Sequence, residues 1–400
     1  MSDPTASRPN AGFFARTGRL WLLGFALLNV VMFWRVHEFV FDGYGDFASL
    51  YTAGKIVRIG QAAHLYDREL QWKIQQQFAA KVQIRRGPLP YIRPPFEALL
   101  FLPFTYLPYP AAYKLWLAAN LVLLLSLPLL VPRFDDGHSS LVLQWLLCLA
   151  YFPAAFCLIQ GQDAILLLII LVLTLRLLLR EAELGCGAVL GLGLFKFHLL
   201  LPLLAILLLR KKFRAVAGFL ITAAAIFVVS VLMVHWTGLL GYPVYLWNMN
   251  EVPGLGMVTK TKSMPNPRGL LALLFRTWHF PMIVHFVLGA IICAGIIGAA
   301  RKWRGGDRRS TVAAYCCWIA VILATAYYSN SYDLTLLLLP LSLFVNGFWE
   351  SFEFSGWRRR LFLLATGLLL CTPLLWILAL PVDQFGWTAL IVLGYAVAIS

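Results

Sequence analysis

Stretches of about twenty apolar residues, most of them flanked by lysine or arginine, recur along this 400-residue chain and constrain its fold more than any other feature. The first runs from Leu20 to Phe41, behind Arg16 and Arg19. A bilayer offers no water to backbone N–H and C=O groups, so such a run crosses it only as a helix that closes its own hydrogen bonds. Further runs lie near 111–131, 140–159, 164–180, 213–235, 281–300, 311–328, 334–349, 361–381 and 386–400. The mean hydropathy of +0.77 agrees with this reading, because a water-soluble domain of this size does not reach it. The expected fold class is all-α, a polytopic transmembrane helical bundle that forms one integral-membrane domain over residues 1–400. The first run lacks a small-residue cleavage site and reads as a retained span.

A formal net charge of +15 raises the question of nucleic acid. The basic residues, however, stand in short groups beside the apolar runs, where they set topology, so no nucleic-acid partner is expected. Six of the seven cysteines, Cys148, Cys157, Cys293, Cys316, Cys317 and Cys371 among them, lie inside apolar runs without a CxxC or a metal-ligand spacing. Neither a disulfide framework nor a metal site follows from them.

Basic groups at Arg8–Arg19, Arg133, Arg180, Arg210–Arg214, Arg301–Arg309 and Arg358–Arg360 belong on the cytoplasmic side. The stretch Gly185–Leu209 has charged residues at both ends and is interrupted by Lys196-Phe197-His198 and by Pro202. It reads as one long tilted helix or as two short helices in a broken hairpin, and the flanking charges favour the hairpin. With that choice Asp42, Asp46, Arg93, the turn Gln160-Gly161-Gln162-Asp163, the segment Lys260–Arg268 and Ser329–Asp333 all fall on the external face.

The polar segment 42–95 is expected to be a structured external loop. Asp46 and Asp67 are placed to cap helices, Gly60 to end the first of them, and Pro94-Pro95 to start another. Asp46 has two readings. As an N-cap it is structural; as a partly dehydrated carboxylate beside aromatic residues it suits a general base that deprotonates a hydroxyl. Arg93 can hold a phosphate in a bidentate fork oriented by Glu97, or anchor the loop at the interface. Lys196 and His198, at the break inside an apolar stretch, either meet an anionic partner such as a lipid phosphate or snorkel along a tilted helix. Gln162, Asn266 and Arg268 sit in polar turns, Tyr332-Asp333 opens an apolar run, and Tyr242, Tyr245, Trp247 and Trp278 read chiefly as an interfacial aromatic belt.

The chain resembles glycosyltransferase family 87, an integral-membrane GT-C class that includes polyprenyl-phosphate-mannose-dependent mannosyltransferases. The resemblance rests on Gly45-Asp46-Phe47-Ala48-Ser49-Leu50-Tyr51-Thr52-Ala53-Gly54, then Gly60 and Leu65-Tyr66-Asp67, then Arg93-Pro94-Pro95-Phe96. Gly161-Gln162, the run from Gly187 to Lys196, and Tyr332-Asp333-Leu334 follow in order. It implies transfer of a hexosyl group, mannosyl in the first instance, from a polyprenyl-phosphate donor to a glycan or lipid acceptor at the external face of the plasma membrane. Asp46 would be the catalytic base. Asp42, Tyr51, Arg93, Gln162, Lys196, His198, Asn266, Arg268, Tyr332 and Asp333 would contact substrate, and no cofactor or metal would be needed. This chain departs from the family pattern at Leu50, at Arg93, where a tyrosine often precedes the prolines, and at Phe197-His198, where proline often follows the lysine. The competing reading is a transporter or flippase of a lipid-linked sugar that uses the broken hairpin as its binding site.

Overall fold

The structure is a computed structural model that describes residues 11–79, 88–133, 140–251, 261–277, 280–302, 307–345, 356–379 and 386–399. The expectations that rest on the basic residues before Ala11, on Lys260 and on Trp278 lie outside the described residues. Among the described residues about 83% are helical and none lies in a strand. In order, the helices are α1 Ala11–Phe41, α2 Phe47–Arg58, α3 Arg68–Gln76, α4 Glu97–Phe101, α5 Tyr109–Leu130, α6 Leu141–Ala150, α7 Phe152–Gln160, α8 Ala164–Leu179, α9 Glu183–Gly191 and α10 Phe197–Leu209. They continue with α11 Phe213–Glu251, α12 Pro267–Leu274, α13 Met282–Lys302, α14 Arg308–Thr325, α15 Leu338–Val345, α16 Gly356–Leu370, α17 Thr372–Ala379 and α18 Thr388–Ile399. Single runs long and apolar enough to span a bilayer include parts of α1, α5, α11 and α13. The run at 140–159 is a bent pair, α6 and α7, meeting at 57°. Tyr151 is extended at the joint, and Pro153 in the first turn of α7 has no N–H with which to continue the preceding helix.

By length and hydropathy Glu183–Leu209 would pass for one span of 27 residues. A straight helix of that length would hold its ends about 40 Å apart. Instead Lys212, just past the end of α10, places its Nζ 2.7 Å from Glu183 Oε1 at the start of α9. The reversal is made by a tight 3-10 turn over Leu192–Lys196, and at Lys196 the backbone leaves helical geometry altogether (φ −116, ψ 53). The stretch is therefore the broken hairpin, with Lys196 at its tip.

Glycine makes this hairpin pack. A Cβ on Gly187 would lie 1.7 Å from the carbonyl oxygen of Ala215, and one on Gly218 would lie 2.0 Å from that of Leu184. With both absent, α9 runs backbone to backbone and parallel to the first half of α11, and Thr222 Oγ1 donates to Ala188 O at 3.0 Å. α11 then breaks at His235 (φ 57), which sends its second half over the loop between α1 and α5.

That loop folds largely as its sequence signals. Asp67 caps α3 by accepting from the N–H groups of Glu69 and Leu70 at 2.9 and 3.3 Å, and Gly60 ends the first helix at φ +76. Its basic residues serve the loop itself: Lys55 Nζ donates to Gln77 Oε1 at 2.7 Å, and Arg58 donates to the carbonyl of Thr105 while lying over the Tyr106 ring. The stretch before Pro94-Pro95 has no helix or sheet partner for its carbonyls. Four tyrosine hydroxyls take that role: Tyr245 donates to Tyr91 O (3.1 Å), Tyr242 to Ile92 O (3.0 Å), Tyr66 to Arg93 O (2.9 Å) and Tyr91 to Pro94 O (2.8 Å). Tyr242 and Tyr245 thus clamp the loop from α11 and do more than form an interfacial belt. Buried main-chain carbonyls need such partners, and here the partners fix where Arg93 emerges.

Candidate active site

Asp46 stands at the N-cap position of α2, yet its side chain makes no capping hydrogen bond. The capping alternative is thus not what the structure shows. The carboxylate faces the turn between α7 and α8, where Gln162 Nε2 donates to Asp46 Oδ2 at 2.7 Å. The approach is close because Gly161, at φ +63, leaves room for Phe47: a Cβ there would sit 2.6 Å from that of Phe47. The backbone N–H of Asp46 also donates to Gln160 Oε1 at 3.3 Å.

Gln162 carries the network onward, since its Oε1 accepts from Arg93 Nη2 at 2.7 Å. The two neighbours set the orientation of the amide. A guanidinium can only donate and an ionised carboxylate can only accept, so the oxygen must face Arg93 and the NH₂ must face Asp46. The same Nη2 lies 3.4 Å from Asp163 Oδ1, and Nη1 reaches Phe195 O at 3.5 Å.

Asp163 Oδ1 also meets Lys196 Nζ at 3.0 Å, and Lys196 Nζ lies 2.5 Å from Asp333 Oδ1. All three side chains are at most 1% exposed. The ammonium further sits 4.9 Å over the Tyr332 ring. Asp333 divides its oxygens, because Oδ2 accepts from the Asn330 N–H at 2.8 Å in a capping box that starts the 3-10 turn Ser331–Leu337. Asn330 Nδ2 in turn reaches the hydroxyls of Tyr328 and Tyr332 at 3.1 and 2.5 Å. One polar network therefore joins the first loop, the α7–α8 turn, the hairpin tip and the segment after α14.

Glu97, at the start of α4, is the odd member. It is 1% exposed, and neither carboxyl oxygen accepts a hydrogen bond from an N–H or hydroxyl. Burial first, and then the nearby Asp163 charge, hold its carboxyl well above the usual range, against the opposing pull of Arg93. That direction favours the protonated form of Glu97 beside the Asp163 carboxylate. Burial alone would raise Asp163 too, but the charges of Arg93 and Lys196 outweigh it and keep that carboxylate well below the usual range. Burial would lower Arg93, but the charge of Asp163 foremost outweighs it and holds its guanidinium firmly charged.

A stability prediction follows, with its sign fixed by the raised folded value of Glu97. The native state keeps a proton that the unfolded chain releases near pH 4.3. The resulting stabilisation is complete below that pH and is lost as pH rises through the raised folded value. Thermal unfolding in detergent should show wild type losing stability toward alkaline pH, while Glu97→Gln, a permanent neutral donor, flattens that decline. An unchanged pH profile in the variant would mean that Glu97 is ionised.

The structure alters several expectations. Lys196 and Arg93 are already neutralised by Asp163 and Asp333, so they frame the site and do not present unpaired charge to a phosphate. Glu97 does not orient Arg93 through a hydrogen bond; Gln162 and Asp163 do. Tyr51 packs its ring among Phe47, Phe78 and Tyr109, and its hydroxyl donates to Leu107 O at 2.8 Å. Asn266 is a buried N-cap of α12, accepting from Gly269 N at 2.8 Å and reaching Ser329 Oγ at 3.2 Å. Arg268 is buried 4.6 Å over the Tyr327 ring. Asp42 is half-buried in the turn after α1. His198 packs edge-on against Tyr328, and its Nε2 is buried with no hydrogen-bond partner.

A family model described as Glycosyltransferase family 87 matches residues 91–326. That stretch takes in Arg93, Glu97, Gln162, Asp163, Lys196 and His198, and leaves Asp46 and Asp333 outside it. Searches of curated proteins and of solved structures returned no match. The family match spans more than half of the chain, and with the network of α4, the α7–α8 turn and the hairpin inside it, this helical chain belongs to glycosyltransferase family 87.

Proposed function

We propose that the chain moves a hexosyl group, mannosyl in the first instance, from a polyprenyl-phosphate donor to a glycan or lipid acceptor, within a GT-C type bundle. The observation that carries this reading is the Asp46 carboxylate. It is half-buried, it does not cap its helix, and Gln162 ties it to Arg93 and so to the buried ion cluster. In the proposed step Asp46 takes the proton of an acceptor hydroxyl, whose oxygen attacks the anomeric carbon. As that C–O bond forms, the bond from the anomeric carbon to the phosphate oxygen breaks, and its electron pair leaves with the polyprenyl phosphate. The configuration inverts. The buried Nε2 of His198, at the hairpin tip, is suited to a hydrogen bond with the departing phosphate, since buried polar atoms without partners are rare and mark ligand contacts.

The reading extends to location. Arg133, Arg176, Arg180 and Arg308 border one cavity past the end of α8, whereas Asp163 stands before its start. Arginines on the cytoplasmic side would put Asp46 on the external side of the plasma membrane. The deciding experiment uses proteoliposomes supplied with polyprenyl-phosphate hexose labelled in the sugar, or with the matching nucleotide sugar. Covalent product is expected from the first donor alone. Product from the nucleotide sugar would overturn the donor class, and movement of intact donor across the membrane without product would favour the transporter.

A further inference from the structure

The segment after α14 brings two tyrosine hydroxyls to one amide. Asn330 Nδ2 donates to Tyr328 Oη at 3.1 Å and to Tyr332 Oη at 2.5 Å. A hydroxyl that accepts in this way still carries a proton to give. No acceptor for either proton stands among the described residues. Instead the Tyr328 ring meets the edge of His198, and the Tyr332 ring lies between Phe156 and the Lys196 ammonium. His198 is the third group here, with its buried Nε2 lacking a hydrogen-bond partner. The Asp46 carboxylate faces the same set, since it is close enough to act electrostatically on both phenols. Nothing in the sequence singles out Tyr328, an aromatic at the end of an apolar run.

The chemistry of this cluster narrows the choice of ligand. A sugar hydroxyl both gives and takes a hydrogen bond, whereas an ionised phosphate oxygen only accepts, and groups left with protons to give suit the second. Lys196 and Arg93 are already neutralised by Asp163 and Asp333, so a phosphate arriving here needs donors of another kind. One of those donors is reinforced: an ammonium 4.9 Å from the Tyr332 ring centroid attracts the electron density of the phenol and makes its O–H the stronger donor. Building on the transfer proposed above, we infer that Tyr328 and Tyr332, with His198 as its Nε2–H tautomer, form a neutral clamp on the departing phosphate. As the bond from the anomeric carbon to the phosphate oxygen breaks, its electron pair stays on that oxygen. The two O–H groups and the N–H direct their hydrogen bonds to the growing negative charge, and no proton is transferred within the clamp. The proton of the acceptor goes to Asp46. Donors held in place beforehand need no rearrangement as the charge develops.

The test measures how the full chain in detergent binds polyprenyl phosphate, the leaving group itself, and polyprenol, which has the same chain and no phosphate. Tyr328→Phe and Tyr332→Phe each remove one O–H and keep the ring, and the thermal midpoint without ligand checks that each folds. Tyr328 is half-buried, so its variant carries the test if Tyr332→Phe is destabilised. Each folded variant should bind polyprenyl phosphate about tenfold more weakly, the equivalent of one hydrogen bond to a charged group, and bind polyprenol as wild type does. Turnover of labelled polyprenyl-phosphate hexose should fall further, by about 10²-fold, because the donors matter most while the charge develops. Undiminished polyprenyl phosphate binding in a folded variant would overturn the clamp and leave the donor class standing. An equal loss of polyprenol binding would mean a packing defect and would overturn it too. If wild type bound polyprenyl phosphate no better than polyprenol, the donor class would fail and the clamp with it.

Discussion

Lys196→Met is expected to cost the fold about 3–5 kcal/mol, the usual penalty for removing one member of a buried ion cluster. The ammonium lies 3.0 Å from Asp163 and 2.5 Å from Asp333, and all three side chains are almost wholly buried. Without it two carboxylates face each other in a low-dielectric interior, and only Arg93, at 3.4 Å, still offsets Asp163. The damage should spread, because Asp333 also begins the 3-10 turn after α14 and Lys196 marks the hairpin reversal. Adding Asp163→Asn and Asp333→Asn to Lys196→Met should recover much of the loss, since neutral amides carry no unpaired charge. The measurement is the thermal midpoint of single and triple variants in one detergent. A single variant as stable as wild type would mean that the three groups do not form the cluster.

Four of the expected spans were legible because lipid imposes one requirement on every crossing helix: 20–41, 111–131, 213–235 and 281–300 appear within α1, α5, α11 and α13. By contrast, 164–180 and 386–400 form the shorter helices α8 and α18, 334–349 a 3-10 turn with the short α15, and 361–381 the broken pair α16 and α17. Local chemistry revealed the Asp67 cap and the Gly60 stop for the same reason, since a cap needs only its next three residues. The hairpin was readable from charges at both ends of 185–209. What the sequence withheld was pairing over distance. Lys196 called for an anion, but Asp333 stands 137 residues away, and a helix-opening aspartate has a sufficient local explanation. Asp163 looked like a turn residue and Glu97 like a helical partner of Arg93, and only the fold sets their carboxyl groups close enough for the Asp163 charge to act on Glu97. Tyr242 and Tyr245 carried an aromatic-belt signature, because their true partners are carbonyls about 150 residues earlier, and carbonyls have no sequence signal. Tyr51 stands in the same motif as Asp46, yet one helical turn carries its ring into the core, which a motif alone does not reveal.

Asp46→Asn is expected to lower sugar transfer by about 10²–10⁴-fold, the range over which a positioned general base contributes. The substitution is nearly isosteric, and the amide oxygen can still accept from Gln162 Nε2, so the 2.7 Å contact and the α7–α8 turn should survive. Thermal midpoint and detergent elution should therefore match wild type while turnover collapses. Gln162→Met separates the other contribution. It leaves the carboxylate in place but removes its link to Arg93, so Asp46 loses its orientation. The expected loss is smaller, about tenfold, in line with one hydrogen bond that positions a reacting group. Measuring both variants with labelled polyprenyl-phosphate hexose ranks the two effects. If Asp46→Asn keeps wild-type turnover, another group abstracts the acceptor proton; if Gln162→Met is the more damaging of the two, the network acts mainly by holding the donor, and Asp46 is part of its frame.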